Sequence, residues 1–372
     1  YSSMSSKPNS DIGLNPGDED YLREQFPKMA EIFIWPELTT AFKNHENEAL
    51  GKKSSSRRNS FYAIVFMVLS LSTTITAAAP IMTEWASRPD WLRPLLATVS
   101  LLFLVLSVFL GKGILFGRRR DAWLYHRLAG ERLRHLYFQF LLEHMCEACS
   151  QGSVSQQTVI GSRKSALASA LKKICAPVYV QIVKGDTNLE EAALLARKVD
   201  CEKAELDPDK LDEFRKFWVE FRFSWQIGYA TEQAGRRASP FPIFGSLADQ
   251  EHTVSSLEFI ATVGIIALQC LAVAAQFFST GSTVENAVFL ASILAVAIVG
   301  LQAYRDGMGL TEDLTRNRVY ASYSAQLLRD YKKALQTESV QAEMRIMAEM
   351  EDLAYFETRE FLHTHSNARF SL

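Results

Sequence analysis

Long uncharged apolar runs alternate along this chain with charged segments of helical period. Phe61–Met82 carries no charged residue, and Leu95–Leu110 is a second such run. Phe259–Phe278 and Ala287–Tyr304 form a second pair. A hydrocarbon core about 30 Å thick takes roughly 20 helical residues to cross. Within each pair the intervening turn is short. The first holds Pro80, Arg88, Pro89 and Pro94, and the second, Ser279–Asn286, holds Gly281 and neither Lys nor Arg. The pattern predicts an all-α membrane protein with four transmembrane helices in two hairpins, at 59–116 and 256–304. A buried core pair would not need four uncharged runs of this length.

The remaining segments read as polar or amphipathic. Residues 1–20 are rich in Ser, Asn, Gly and Asp and are expected to be disordered. They hold no apolar core of the kind a signal peptide needs. The chain begins Tyr-Ser-Ser-Met, so Met4 is the expected native start, residues 1–3 an added remnant, and no large sensor domain is expected upstream. Residues 21–58 form a juxtamembrane helical segment, broken at Trp35-Pro36. Residues 117–255 form a helical cytoplasmic domain. It comprises a long helix from Trp123 to about Glu147, a Ser/Gln/Gly linker at 150–160, and a short helix from Ser162 to about Cys175. An extended piece is expected over Val178–Val183. A capped helix follows from Thr187, with Glu190 completing a capping box, to about Val199. Pro208 opens a helix to about Ala238 with an aromatic stripe of Phe214, Phe217, Trp218, Phe221, Trp225 and Tyr229, read as packing. Pro240, Pro242 and Gly245 end it. Residues 305–372 hold two C-terminal cytoplasmic helices, Leu310–Gln336 and about Val340–His363, whose apolar stripes predict packing against the middle domain as a helical bundle.

Charge sets an orientation. Lys52, Lys53, Arg57, Arg58 and Arg118–Arg120 flank the first hairpin, against Arg88 and Arg93 in its turn. Arg236, Arg237, Arg305, Arg316 and Arg318 flank the second, with none in its turn. The excess of positive charge predicts a multi-pass protein of the plasma membrane with both termini cytoplasmic. A net charge of −2 argues against a generally basic nucleic-acid binder. Mean hydropathy is close to zero only because charged segments dilute the apolar runs. Five cysteines without regular spacing do not read as a secreted disulfide framework.

Catalytic signatures are scarce. No phosphate-binding Gly-rich loop, nucleophile elbow or His-Glu-x-x-His pair occurs. Cys146-x-x-Cys149 after His144 lacks a second pair and reads as two partly buried thiols rather than a metal site. No enzyme activity, metal or cofactor is expected. Polar groups inside the apolar runs are more informative. Thr262, Gln269 and Gln276 are seven apart and share one helix face. Ser70, Ser72, Thr73, Thr74 and Thr76 lie in the first run. Such groups either line a water-filled pathway or hydrogen-bond between helices. Thr262, Gln269 and Gln276 are the candidate pore-lining residues. Ala287, Ala291 and Ala295 are spaced for close helix packing. Arg120, Arg127 and Arg134 repeat at seven residues on one face. They are candidates to meet anionic lipid heads, an anionic ligand such as a nucleotide, or acidic residues of a partner helix.

Three stretches carry a family resemblance: Trp123-x-x-x-Arg127-x-x-x-Glu131-x-Leu133, Phe223-Ser-Trp225-Gln226-Ile-Gly-Tyr229, and Met347-Ala-Glu349-Met-Glu351-Asp-Leu-Ala-Tyr-Phe356-Glu. With the order of a juxtamembrane helix, a tight hairpin and a charged helix, the chain resembles the SLATT-type (SMODS- and SLOG-associating) two-transmembrane effectors of bacterial antiphage defence. The likeness covers most of 38–363 as architecture and sparse residues. It implies an oligomeric inner-membrane effector that forms or gates a pore, or disrupts the bilayer, when a separate sensor protein or nucleotide second messenger signals. The chain departs from the basic module in having two hairpins. Two other readings are a non-conducting membrane scaffold or sensor that recruits a partner, and a constitutive channel or transporter. The expected partners are the lipid bilayer and further copies of the chain, with no nucleic acid.

Overall fold

The computed structural model describes residues 10–78 (14 and 16 aside), 91–115, 118–151, 153–173, 205–235, 246–277, 281–337 and 339–367. Helices make up nearly all of it, and among the described residues there is no strand beyond one isolated antiparallel bridge, Ser150–Leu206. A 3-10 turn, Ser10–Ile12, leads into α1 (Asp18–Gln25), α2 (Ala30–Phe33) and the long α3 (Pro36–Ala78). Then come α4 (Leu92–Leu115), α5 (Arg118–Glu143), α6 (Met145–Ala148) and α7 (Ser153–Lys173). The run from Pro208 forms α8 (Pro208–Phe217), a π segment (Trp218–Ser224) and α9 (Trp225–Ala234). Finally come α10 (Leu247–Phe277), α11 (Gly281–Met308), α12 (Leu310–Gln336) and α13 (Val340–Asn367). The first hairpin turn lies largely outside the described residues, as do the expected elements at 178–183 and 187–199 and residues 240, 242 and 245. Of the turn expected over Ser279–Asn286, residues 281–286 are instead the first turns of α11.

Residues group into two compact units. The first unites Tyr1–Leu50, Ala122–Gly235 and Asp313–Ser366. Its core is aromatic. Phe33 stacks on Phe217 with centroids 3.9 Å apart, and Phe217 on Phe221 at 4.8 Å. Phe214, Phe217, Trp218 and Phe221 are buried, so four members of the stripe pack as expected. Trp225 and Tyr229 are only half-buried. A regular helix would turn Arg222 and Phe223 away from the face that carries Phe221. The wider π turn instead buries Phe221, Arg222 and Phe223 in succession. Asp207 caps α8, accepting from the Asp209 and Lys210 amides ahead of Pro208.

Residues 1–9 of the stretch expected to be disordered lie outside the described residues, whereas Asp11 and Ile12 are buried and α1 begins at Asp18. The linker expected at 150–160 is largely the first half of α7, since packing of Val159, Leu167 and Ala170 outweighs weak local propensity. The juxtamembrane segment and the first apolar run, set apart at 58/59, belong to one helix. α3 is continuous, roughly 65 Å long at 1.5 Å per residue. Cys149 is a free, buried thiol, but Cys146 is disulfide-bonded rather than a thiol.

The second unit unites Gly51–Asp121, Arg236–Glu312 and Asn367–Leu372. Among the described residues three helical stretches are long and apolar enough to cross a membrane: Ala30–Ala78, which includes α3; α10; and Thr283–Met308 of α11. The apolar part of α4 described here, Pro94–Leu110, is shorter. These helices present apolar side chains outward, with Phe277 82% and Phe259 69% exposed. The protein is therefore an all-α membrane protein, since bare surface of this kind is stable only against lipid or further protein. At Gly264 and Gly300 a neighbouring helix packs against the glycine. A Cβ on Gly264 would lie 3.0 Å from Leu294 Cδ1, and one on Gly300 2.5 Å from Val68 Cγ2. Ala287 and Ala291 are buried as their spacing predicts, but Ala295 is exposed.

Candidate functional site

The first unit carries a chain of buried charges. On α5, Arg127, Glu131 and Arg134 are four and three apart and so share one face. Glu131 receives Arg127 Nη2 at 2.6 Å and Arg134 Nη1 at 2.7 Å. Arg127 also faces Glu46 of α3 at 3.5 Å. Arg134 Nε meets Asp11 Oδ2 at 2.9 Å, and its guanidinium lies 5.1 Å from the Phe42 ring and 5.6 Å from Trp225. Gln226 Nε2 donates to the same Asp11 oxygen at 3.4 Å, and Tyr320 of α12 donates to Gln226 Oε1 at 3.3 Å.

Two further clusters extend it. Arg222, wholly buried on the π segment, makes a two-pronged pair with Glu351 of α13. His135 Nδ1 lies 3.2 Å from Glu351 Oε2, and the Phe138 ring sits 4.3 Å from the guanidinium. Nearer the ends of α12 and α13, Asp313 binds His365 Nε2 at 3.0 Å and Arg316 at 2.7 Å, and Arg316 reaches Glu357 at 3.0 Å. His45 and His126 face each other with Nδ1 atoms 3.1 Å apart.

The carboxyls divide into two groups. Burial raises Glu131, but Arg127 and Arg134 outweigh it and hold it at about 2. Burial likewise opposes Glu351, and Arg222 and His135 bring it below the usual range. Burial opposes Asp313 too, and His365 and Arg316 prevail. In Asp11 burial wins over Arg134 and Arg222, and the pKa rises to about 6. Burial also raises Glu357 despite Arg316. A cluster of this kind can take up a proton or hold an anion. Among the described residues no group of three or more His, Cys, Asp or Glu side chains is placed to hold a metal ion.

No family model, curated protein or solved structure matches the chain. The buried charges draw on residues far apart in sequence: Arg127 and Glu131 of α5, Gln226 of α9, and Glu351 of α13. Of the Arg candidates, Arg127 and Arg134 are engaged by carboxylates of this same chain, while Arg120 stands partly exposed in the first turn of α5. Sequence reasoning missed Asp11, Arg222 and His135. Arg222 carried a readable signal, a charge set between Phe221 and Phe223 inside an aromatic run.

In the second unit the polar groups split by partner. Ser70 donates to Ser100 O at 2.9 Å, Thr74 meets Ser100 Oγ at 2.7 Å, and Ser107 donates to Ala63 O at 2.8 Å, so α3 and α4 are joined by side-chain hydrogen bonds. Thr73 and Thr76 bond back to Leu69 and Ser72 of their own helix. On α10, Thr262 donates to Glu258 O at 2.8 Å. Thr262, Gln269 and Gln276 are all exposed on the outer side of the helix. Gln269 lines an open groove of about 580 Å³ with Ile266, Cys270, Val273, Ala274 and Phe277.

Proposed function

We propose that the chain is a non-enzymatic inner-membrane effector that assembles from several copies and opens or breaches the bilayer in response to a cytoplasmic signal, in bacterial antiphage defence. Four helices in two hairpins cross the membrane in this reading: α3 with α4, and α10 with α11. The termini and the first unit are cytoplasmic. The trigger is a separate sensor protein or a nucleotide second messenger.

One observation carries the reading. The outward face of α10 bears two glutamines and a threonine within its otherwise apolar stretch, residues 259–277. A primary amide has two N–H donors that its own helix cannot fully satisfy, and hydrocarbon offers no partner. Copies packed on this face, or water between them, would satisfy it. The likeness to SLATT-type modules supports the same direction.

The test is membrane potential, read with a voltage-sensitive dye in bacteria expressing the chain with its genomic neighbours, before and after phage challenge. The expected result is depolarisation only after challenge. Depolarisation by the chain alone would make it a constitutive channel. An unchanged potential after challenge, with the protein confirmed in the membrane, would leave a scaffold that recruits a partner and would end the pore reading.

A further inference from the structure

Arg134 faces two carboxylates, Glu131 of its own helix and Asp11, and the second does not come from a helix of the bundle. Asp11 belongs to the short turn Ser10–Ile12, yet it is wholly buried. Its Oδ2 lies 2.9 Å from Arg134 Nε as an ion pair and accepts from Gln226 Nε2 at 3.4 Å. Its Oδ1 is buried without a hydrogen-bond partner among the described residues, and so is Arg222 Nη1 on the π segment. An unmet buried donor or acceptor is costly, more so when charged. Arg134 and Arg222 both act on this carboxylate, with Glu131 the opposing charge and Tyr320 linked through Gln226. Glu131 takes Arg134 Nη1 and Glu351 takes Arg222 Nε and Nη2, so Arg222 Nη1 is a donor still unmet beside an unmet acceptor, Asp11 Oδ1.

We propose that the space between Arg134, Gln226 and Arg222 is a binding site for an anionic carboxylate or phosphate group, and that Asp11 occupies it as a displaceable internal ligand. The turn is built to leave. It is three residues long, its apolar anchor is Ile12, and Gly13 (φ 69°) and Gly17 (φ 91°) flank its exit in the left-handed region that glycine adopts without strain. A phosphate carries more acceptor oxygens than Asp11 and matches paired guanidiniums. Single-turn π segments recur at ligand sites, and Arg222 stands on one. The inference holds whether or not the chain conducts ions.

Chemical rescue tests it on the full chain in detergent. Asp11→Ala leaves a carboxylate-sized space beside Arg134. Thermal unfolding is followed against acetate, inorganic phosphate, and chloride at matched ionic strength. Asp11→Ala should unfold below wild type, and acetate or phosphate should return at least half of the lost midpoint saturably, with chloride returning little. Adding Arg134→Gln should abolish the rescue. Stronger rescue by phosphate would assign a phosphate-bearing ligand, and rescue by acetate alone an acidic side chain. In wild type, phosphate should raise deuterium uptake over residues 10–13, and this arm stands even where the variant fails to fold. Rescue no better than chloride would overturn the site. Unchanged uptake in wild type at the highest phosphate concentration would overturn displacement, leaving Asp11 as a fixed plug.

Discussion

Glu351→Gln is the sharpest probe of the buried network. The substitution keeps the shape and one acceptor oxygen but removes the charge that faces Arg222. The guanidinium is fully buried, held in two prongs, with Nη2 2.9 Å from Oε2, and His135 bonds the same oxygen at 3.2 Å. Unit charges 4 Å apart attract by about 4 kcal/mol at an effective dielectric of about 20. Neutralising one partner strands the other in the interior, a loss of about 3–5 kcal/mol. For a unit of this size each kcal/mol moves the midpoint by about 2–4 °C, so the fall should be roughly 6–20 °C. The assay is thermal melting of the purified chain in detergent, followed by circular dichroism at helical wavelengths. Arg222→Met should cost a similar amount, and the double variant Arg222→Met/Glu351→Leu less than the sum of the singles, since no charge is left unpaired. A drop below about 1 kcal/mol for Glu351→Gln, or a strictly additive double variant, would refute the claim that this pair is closed and dry.

Three other outcomes follow. Asp11 has a folded pKa of about 6, raised from 3.8 by burial, so its seated form binds its proton more tightly than the free turn. The turn's docking is therefore strongest below about pH 4, weakens as pH rises through 6, and is flat above 7, whereas Asp11→Asn should remove that slope in hydrogen exchange corrected for intrinsic rates. The free-energy span is about 3 kcal/mol at 1.36 kcal/mol per unit. Gly300→Ala would set a methyl against Val68 Cγ2, on a β-branched side chain fixed in its rotamer, and should destabilise the second unit by about 1–3 kcal/mol in thermal melts. Gly264→Ala should cost less, because Leu294 Cδ1 is the free end of a longer side chain. Replacing Gln269 and Gln276 with Leu should lower ion flux in reconstituted liposomes and shift cross-linked oligomers toward monomer, and unchanged values of both would remove these residues from any assembly face.

Helix positions were largely legible because they rest on local periodicity. Leu310–Gln336 coincides with α12, and Pro36 does begin a helix. The seven-residue Arg spacing correctly put Arg127 and Arg134 on one face, but the identity of what lies opposite depends on contacts far apart in sequence. Arg134 with Asp11, Arg222 with Glu351, and Tyr320 with Gln226 are each closed by tertiary packing, which no window of the sequence contains. The π segment was hidden for a related reason. A stripe at three and four residues fits a regular helix, and only the need to bury Arg222 and Phe223 beside Phe221 shows the extra residue per turn. Residues 10–13 read as disordered because their composition is polar, whereas one buried Ile12 and one ion pair order them.

The contrast between the two sets of polar groups bears on how such a chain can be switched. In the first unit Glu131, Glu351 and Asp313 are each matched by cations, and their depressed pKa values make these pairs resistant to modest changes of pH. Asp11 and Glu357 are not matched in this way, because burial prevails over their cations. A proton, an anion or a partner charge therefore gains most by acting at these two carboxyls, where the folded state already bears a cost. Asp11 is the more readily moved, since it hangs from a three-residue turn while Glu357 sits within a 28-residue helix. The same logic applied to the second unit singles out Gln269 and Gln276. Ser70, Thr74, Ser100 and Ser107 are satisfied by other groups of the chain, and Thr262 by its own helix. The two exposed amides remain as groups whose environment a change of assembly would alter most.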